Sequence, residues 1–382
     1  MNVWRAIFQV DDFIHWRRLI IINAAVIAGY AIYKIVHDVP DLEYIHLLVS
    51  YHFGFTKRAL IGAGVGLFID RVPPWTVHVL GSGMLLATIG LYLRLFQKTF
   101  GFSQATAPLF VFIAGSPFFF KNFVKTIGYF DIYGCLLAIV MLLVPARSFV
   151  FVVLAACGSI ALVLIHHIHM LLYVPTVAAI VVIRYYLNGH GRRLDIALGI
   201  AMAASVLATF TAVQIYGNVP VSEAEFSRHL TSRMGPGGSS TEALNFAYIW
   251  HRTFADEVHE TWKNMPKNLS TAWVYPILIA LHAPLIRYFR KSIQALASPL
   301  HRRMIVAALA AICLGYLVIC VVVFDYARWV SSWAVCMMLM LHAVRQLPMN
   351  RPVDLIALDD RRALGCAIVL APIPRVGIIR PF

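Results

Sequence analysis

The chain has 382 residues, 60% of them hydrophobic and 13% charged, with a mean hydropathy of +0.76 and a formal net charge of +14. A soluble domain this apolar would lack the polar residues to cover its surface, so composition excludes an ordinary soluble enzyme and points to the bilayer as solvent. The Lys and Arg residues flank apolar runs, which argues against nucleic acid as a partner and for membrane topology and lipid headgroups.

The first 18 residues carry charges on both sides of a short apolar run, with no small-residue cleavage site after it. The run 19–36 therefore reads as a retained first span. Further apolar runs follow at 75–96, 105–120, 127–145, 148–165, 168–186, 194–216, 272–286, 304–324 and 329–345. A span needs about 20 residues, and shorter ones are tolerated by thinning or burial. These runs predict an all-α, polytopic transmembrane bundle of about ten spans. The stretch 148–186 would be nearly 60 Å long as one helix at ~1.5 Å per residue, about twice the hydrocarbon core. The polar run His166-His167-Ile168-His169 marks the turn that divides it. The stretch 59–69 reads as a short span or a re-entrant piece. Residues 1–347 form one transmembrane domain, and 348–382 a C-terminal cytoplasmic tail or short interfacial segment, with 364–379 open between a span and an interfacial piece. Five of the six cysteines lie inside apolar runs and none forms a C-x-x-C pair, so they read as packed thiols.

With the N-terminus inside, Arg17, Arg18, Arg94, Lys98, Arg147, Arg184, Arg192, Arg193, Arg287 and Arg345 fall on the inner side. Fewer basic residues, mainly Lys121, Lys125 and Arg328, end spans on the outer side. The positive-inside rule then places both chain ends inside. Two outer segments remain, 37–72 and 217–271. In the second, Gly235-Pro236-Gly237-Gly238-Ser239-Ser240 is a turn by composition. Leu244, Tyr248, Phe254, Val258 and Trp262 follow at near-helical spacing, which predicts an amphipathic helix on the outer surface.

In this arrangement Asp38, Asp41, Glu43, Arg58, Asp131, His166, His167, His169, Asp325 and Arg328 all lie at or just below the outer surface. Ionisable groups in a membrane are costly and mark function by default. Asp131, a few residues inside its helix in Gly128-Tyr129-Phe130-Asp131, is either a general base or a carboxylate stabilised by a helix N-terminus. Asp325 and Arg328 are three apart and can pair on a helical turn. Alternatively, Arg328 presents its guanidinium fork to a phosphate. His166, His167 and His169 form a structural turn or supply hydrogen bonds to a reacting group or phosphate. Metal binding is disfavoured, since the pattern lacks facing geometry and no Cys or Glu is adjacent. Asp38 and Asp41 flank Pro40 as solvated loop residues or as a base for a sugar hydroxyl. Arg58 is either a snorkelling anchor or a phosphate contact.

Several segments resemble membrane proteins of bacterial surface-polysaccharide clusters. They are Phe53-Gly54-Phe55-Thr56-Lys57-Arg58-Ala59-Leu60-Ile61-Gly62, Gly128-Tyr129-Phe130-Asp131, the stretch Leu164 to Pro175, and Asp325-Tyr326-Ala327-Arg328-Trp329. Together they are similar to the O-antigen or exopolysaccharide polymerases (Wzy and EpsG types) and the related GT-C membrane glycosyltransferases. One departure is His166-His167, where relatives often have His-Glu. The resemblance implies a bacterial inner-membrane protein that transfers sugar at the periplasmic face. The donor would be a glycan on a polyprenyl phosphate or diphosphate, and the acceptor a glycan or lipid. Asp131, Asp41 or Asp38 would be the base, with Arg58, Arg328 and the histidines at the phosphate and Asp325 beside them. No cofactor is required by the sequence; a divalent metal ion stays open. Two other classes compete. A transporter or flippase would place substrate groups near mid-membrane on broken helices, and Pro108, Pro117, Pro175 and Pro276 lie within or near spans. A non-catalytic scaffold would tolerate neutralisation of the ionisable cluster.

Overall fold

A computed structural model describes residues 12–37, 41–323 and 325–376. It is 74% helical, with no strand among the described residues. The helices are α1 (Asp12–His37), α2 (Asp41–Leu48), α3 (Leu60–Gly66), α4 (Trp75–Thr99), α5 (Ala107–Ala114), α6 (Phe120–Lys125), α7 (Asp131–Leu143), α8 (Val150–Ile165) and α9 (Val174–Val181). After these come α10 (Arg193–Tyr216), α11 (Glu223–Arg233), α12 (Ser240–Phe246), α13 (Phe254–Leu269), α14 (Val274–Leu281), α15 (Ala283–Gln294), α16 (Pro299–Val322), α17 (Tyr326–Arg345) and α18 (Arg361–Leu370).

Among the described residues, six helical segments are long and apolar enough to cross a membrane: Phe13–His37, Trp75–Thr99, His167–Tyr186, Arg193–Tyr216, Pro299–Val322 and Tyr326–Arg345. Gln104–Ala114, Asp131–Leu143 and Val150–Ile165 are apolar but shorter. The run 105–120 is not one helix. It breaks between Ala114 and Phe120, where Gly115 and Ser116 end α5. The run 272–286 likewise breaks at His282, between α14 and α15. The two breaks face each other, with Ser116 Oγ 2.9 Å from His282 Nε2. A polar pair at a helix break satisfies groups that a continuous helix would leave to its own backbone. The stretch 59–69 holds only the seven-residue α3, too short to span.

The helices share two distinct ends. At one, α4, α7 and α17 finish. Lys98 Nζ donates to the Leu142 and Leu143 carbonyls at 3.2 and 3.0 Å, and Arg184 donates to those of Met141 and Val144. These cations cap the C-terminus of α7, where unpaired carbonyls and the helix dipole favour positive charge. At the other end α7 and α17 begin and α8 finishes, and the polar cluster forms there.

The segments 41–72 and 217–271 fold together over that second end. Val72 N donates to Arg233 O and Gly235 N to Val72 O, both at 2.8 Å. Arg233 Nη1 reaches Leu48 O at 2.6 Å and Tyr44 Oη reaches Val72 O at 2.7 Å. Tyr44, Leu48, Val72, Phe226, Leu230 and Trp250 form the core of this cap. The expected single helix through Leu244, Tyr248, Phe254, Val258 and Trp262 is two helices and a 3₁₀ turn, broken at His251-Arg252-Thr253. Thr253 N and Oγ1 both bond Asp256 Oδ2, at 2.8 and 2.7 Å, and so start a new helix at Phe254.

Close approach fixes the cap on the bundle. A Cβ at Gly62 would overlap Val49 O and sit 2.7 Å from His46 O, so α3 can cross the end of α2 only with glycine there. Gly64, two residues on, has open space around its Cβ position. Gly62→Ala is expected to cost about 1–3 kcal/mol through overpacking, whereas Gly64→Ala gains roughly 0.5 kcal/mol from helix propensity. Thermal unfolding of the two variants in detergent checks this. Equal midpoints would contradict the packing.

Candidate functional site

Arg328 sits in the first turn of α17 and Asp131 in the first turn of α7. The Arg328 guanidinium donates from Nε to Asp131 Oδ2 at 2.8 Å, from Nη2 to Asp131 Oδ1 at 3.5 Å and from Nη1 to Asp325 Oδ2 at 3.0 Å. All three nitrogens are therefore engaged. Tyr129 and Trp329 close the flanks, with the guanidinium carbon 3.9 and 4.4 Å from their ring centres. Burying charge is tolerable when it is paired and hydrogen-bonded, and the flat guanidinium adds stacking on aromatic faces. Gly128 makes the turn before Asp131 possible, with φ of 86° and a position against Val77 that a Cβ would clash with. The sequence pairing of Asp325 with Arg328 is present, and Asp131 gains the partner that its burial demands.

His166 and His169 lie beneath this cluster. The His166 ring is 6.0 Å from Phe130, 5.3 Å from His167 and 6.2 Å from His169. His166 Nδ1 accepts from Ile168 N at 3.4 Å, which starts the 3₁₀ turn His167–Met170 and leaves the ring proton on Nε2. Among the described residues no group of three or more His, Cys, Asp or Glu is set to hold a metal ion.

His46 was not singled out by sequence, since it hides in an apolar-aromatic run. It is wholly buried, with ring centres 4.6 Å from Phe130, 5.8 Å from Tyr129 and 5.3 Å from Trp250. Burial first, then the neighbouring Arg58 and, more weakly, Arg328 hold its pKa well below the ordinary histidine value, so it is neutral.

Above the histidines a cavity of about 220 Å³ opens between the C-terminal end of α10 and the N-terminal end of α13. Lys57, His167, Gln214, Asn218, Arg252 and Glu257 supply its polar wall. Lys57 is fixed by its backbone, since its N donates to Gly217 O at 2.8 Å and its carbonyl accepts from Trp250 Nε1 at 3.0 Å. Its ammonium donates to Arg252 O at 2.6 Å. Burial, then Arg58, lower its pKa to about 8, against the opposing pull of Glu257 and Asp256 and with a smaller lowering push from Arg252. Arg58 follows with φ of 62°, a left-handed conformation that a side chain disfavours. That turn sends two consecutive cations to different places: Lys57 to the cavity and Arg58 to Glu257, at 3.6 Å. Glu257 keeps 19% side-chain exposure, against 1% for Asp131 and 7% for Asp325.

Of the residues expected at the site, Asp131, Asp325, Arg328, His166, His167, His169 and Arg58 converge on one end of the bundle. Asp41 heads α2, is exposed and does not line the cavity. Asp38 lies outside the described residues. Glu257, Arg252 and His46 are additions; their partners are remote in sequence, and only folding reveals them. Comparison with known families, with curated proteins and with solved structures finds no match for this chain.

Removing one member of the buried pair leaves the other charge unpaired. Asp131→Asn and Arg328→Met are each expected to destabilise by about 3–5 kcal/mol, and the double variant by clearly less than the sum. Denaturant unfolding in detergent measures the cycle. Additive losses would contradict direct coupling.

Proposed function

We propose that the chain is an integral membrane glycosyltransferase or polysaccharide polymerase that uses a polyprenyl-phosphate-linked donor. The observation that carries this reading is the polar cavity of about 220 Å³ at one end of an apolar bundle, with Lys57, Arg252 and His167 facing a partly open carboxylate, Glu257. A phosphate at headgroup level meets cations there, while its lipid chain remains among apolar helices. By the positive-inside rule the Lys98 and Arg184 end is cytoplasmic and the cavity faces outward; with the resemblance to surface-polysaccharide enzymes, this reading takes the membrane to be a bacterial inner membrane.

In the proposed reaction an acceptor hydroxyl oxygen bonds to the anomeric carbon as the bond from that carbon to the phosphate oxygen breaks. The hydroxyl proton passes to Glu257, and the phosphate leaves with the bonding electrons as an anion. Lys57 and Arg252 stabilise that developing charge, commonly the largest catalytic contribution. Glu257 takes the role that the sequence offers to Asp131, because Asp131 has both oxygens turned to Arg328. Arg328, with all three nitrogens held by carboxylates, acts as a positioning residue for the α7 and α17 ends.

A transporter reading draws on the break between α5 and α6, where Lys121 is fully buried. Its ammonium, however, is taken up by the Leu370 and Ala371 carbonyls, at 3.2 and 2.7 Å. A scaffold reading has no use for a strained Arg58 or an open carboxylate beside cations.

In the native host, Glu257→Gln is expected to cut surface polysaccharide by about 10²-fold or more, the usual yield of a general base, with normal protein accumulation. Undiminished glycan on gels would overturn the reading. The pH dependence has a defined sign. Lys57 is charged below about 8 and neutral above it, so affinity for polyprenyl phosphate in liposomes falls as pH rises through about 8. Lys57→Arg, which stays charged, should abolish that fall. A wild-type affinity flat across this window would exclude Lys57 from the phosphate.

A further inference from the structure

Residues 358–376 follow α1 from one end of the bundle to the other. Trp16 Nε1, near the start of α1, donates to Leu358 O at 2.9 Å. Lys121 Nζ takes the last carbonyls of α18, those of Leu370 and Ala371. Lys125 Nζ then reaches Val376 O at 3.5 Å. Lys125 stands at the site end, within electrostatic reach of Asp325, Arg375, Arg328 and Lys34. Lys34 is in the last turn of α1. From Trp16 to Lys34, α1 rises ~27 Å at its helical pitch, close to the ~30 Å hydrocarbon core.

We propose that residues 361–376 cross the bilayer as a half-helix followed by a turn and irregular chain, and that they bring Arg375, next to the Val376 whose carbonyl Lys125 bonds, to the site end as a second cationic edge. The ten residues of α18 rise ~15 Å, and the six that follow, a turn at 371–372 and then irregular chain, can add at most ~20 Å, against the ~27 Å between Trp16 and Lys34. Non-helical backbone at membrane depth is tolerated only where protein buries it and satisfies its polar groups. Both conditions are met at the two ends of the stretch, where Ala371 and Val376 are 2% and 0% exposed, whereas Pro372 and Pro374 between them are exposed. Pro372 and Pro374 have no N–H to leave unpaired, and the two lysines take the carbonyls of Leu370, Ala371 and Val376. A helix C-terminus also favours a cation, which explains a fully buried Lys121 whose ammonium is taken up by two carbonyls there. Counting this crossing, the described chain end lies at the site face, opposite the start of α1, and not on one side with it as the basic-residue count implies.

The crossing stands apart from the glycosyl-transfer reading; only the use of Arg375 toward a phosphate rests on it. In a cysteine-free background, Arg375→Cys and Arg351→Cys are each labelled with a membrane-impermeant maleimide, in spheroplasts and in inside-out vesicles. Arg351 is exposed and follows Asn350, whose N bonds Ala295 O at the opposite end. The two positions are expected to label from opposite sides, whichever face points outward. Labelling from the same side would overturn the crossing. Pro374→Cys is a second position if the first variant does not accumulate. For the edge itself, Arg375→Ala should weaken binding of polyprenyl phosphate in neutral liposomes about fivefold, the usual effect of one interfacial cation, while added inorganic phosphate leaves binding unchanged. Unaltered affinity would remove Arg375 from the site, and competition by inorganic phosphate would show that a free anion is bound there instead of a lipid headgroup.

Discussion

A guanidinium buried between two carboxylates fixes the end of this bundle. Arg328 is 7% exposed and cannot sit there uncompensated, because an unpaired buried charge costs several kcal/mol. Its partners come from the start of α7 and from the residue just before α17, so the pair holds two helix ends at one level. Tyr129, stacked on the guanidinium, also contacts His46 and His166. The polar cluster is therefore a packed unit whose parts hold one another in place. Its carboxylates are spent on Arg328, which leaves the open cavity above to the residues of the cap.

That cap is made of two segments far apart in the chain, each an ordinary polar loop when read alone. Their union is carried by backbone hydrogen bonds: Val72 with Arg233 and Gly235, and Lys57 with Gly217. A left-handed Arg58 is sustained because Gly217 and Trp250 hold the N–H and the carbonyl of Lys57, the residue just before it. The strain separates two adjacent cations, one into the cavity and one onto Glu257.

The membrane character and the all-helical class are legible in composition, since no other solvent suits so apolar a chain. The convergence of Asp131, Asp325, Arg328 and the histidine turn is legible as well, because intramembrane charges are few and must find partners. Helix interruptions at Ser116 and His282 were not legible. Both lie inside runs apolar enough to pass as single spans, and the side chains that rescue the breaks lie 166 positions apart. Glu257 was hidden for the opposite reason. It stands in a polar outer segment where an acid is ordinary, and its meaning depends on Arg58 and Lys57 far upstream. His46 gave no signal because apolar neighbours mask a single histidine. The route of 358–376 was open in sequence for want of a continuous apolar run, and lysine-to-carbonyl bonds define it.

The account places the chemistry at one end of the bundle, in the cavity under the cap. A structure of the protein in lipid nanodiscs with bound polyprenyl phosphate tests that placement most directly. The phosphate is predicted within hydrogen-bond reach of Lys57 and Arg252, with Glu257 beside it. A phosphate bound at the opposite end, by Lys98 and Arg345, would contradict the account.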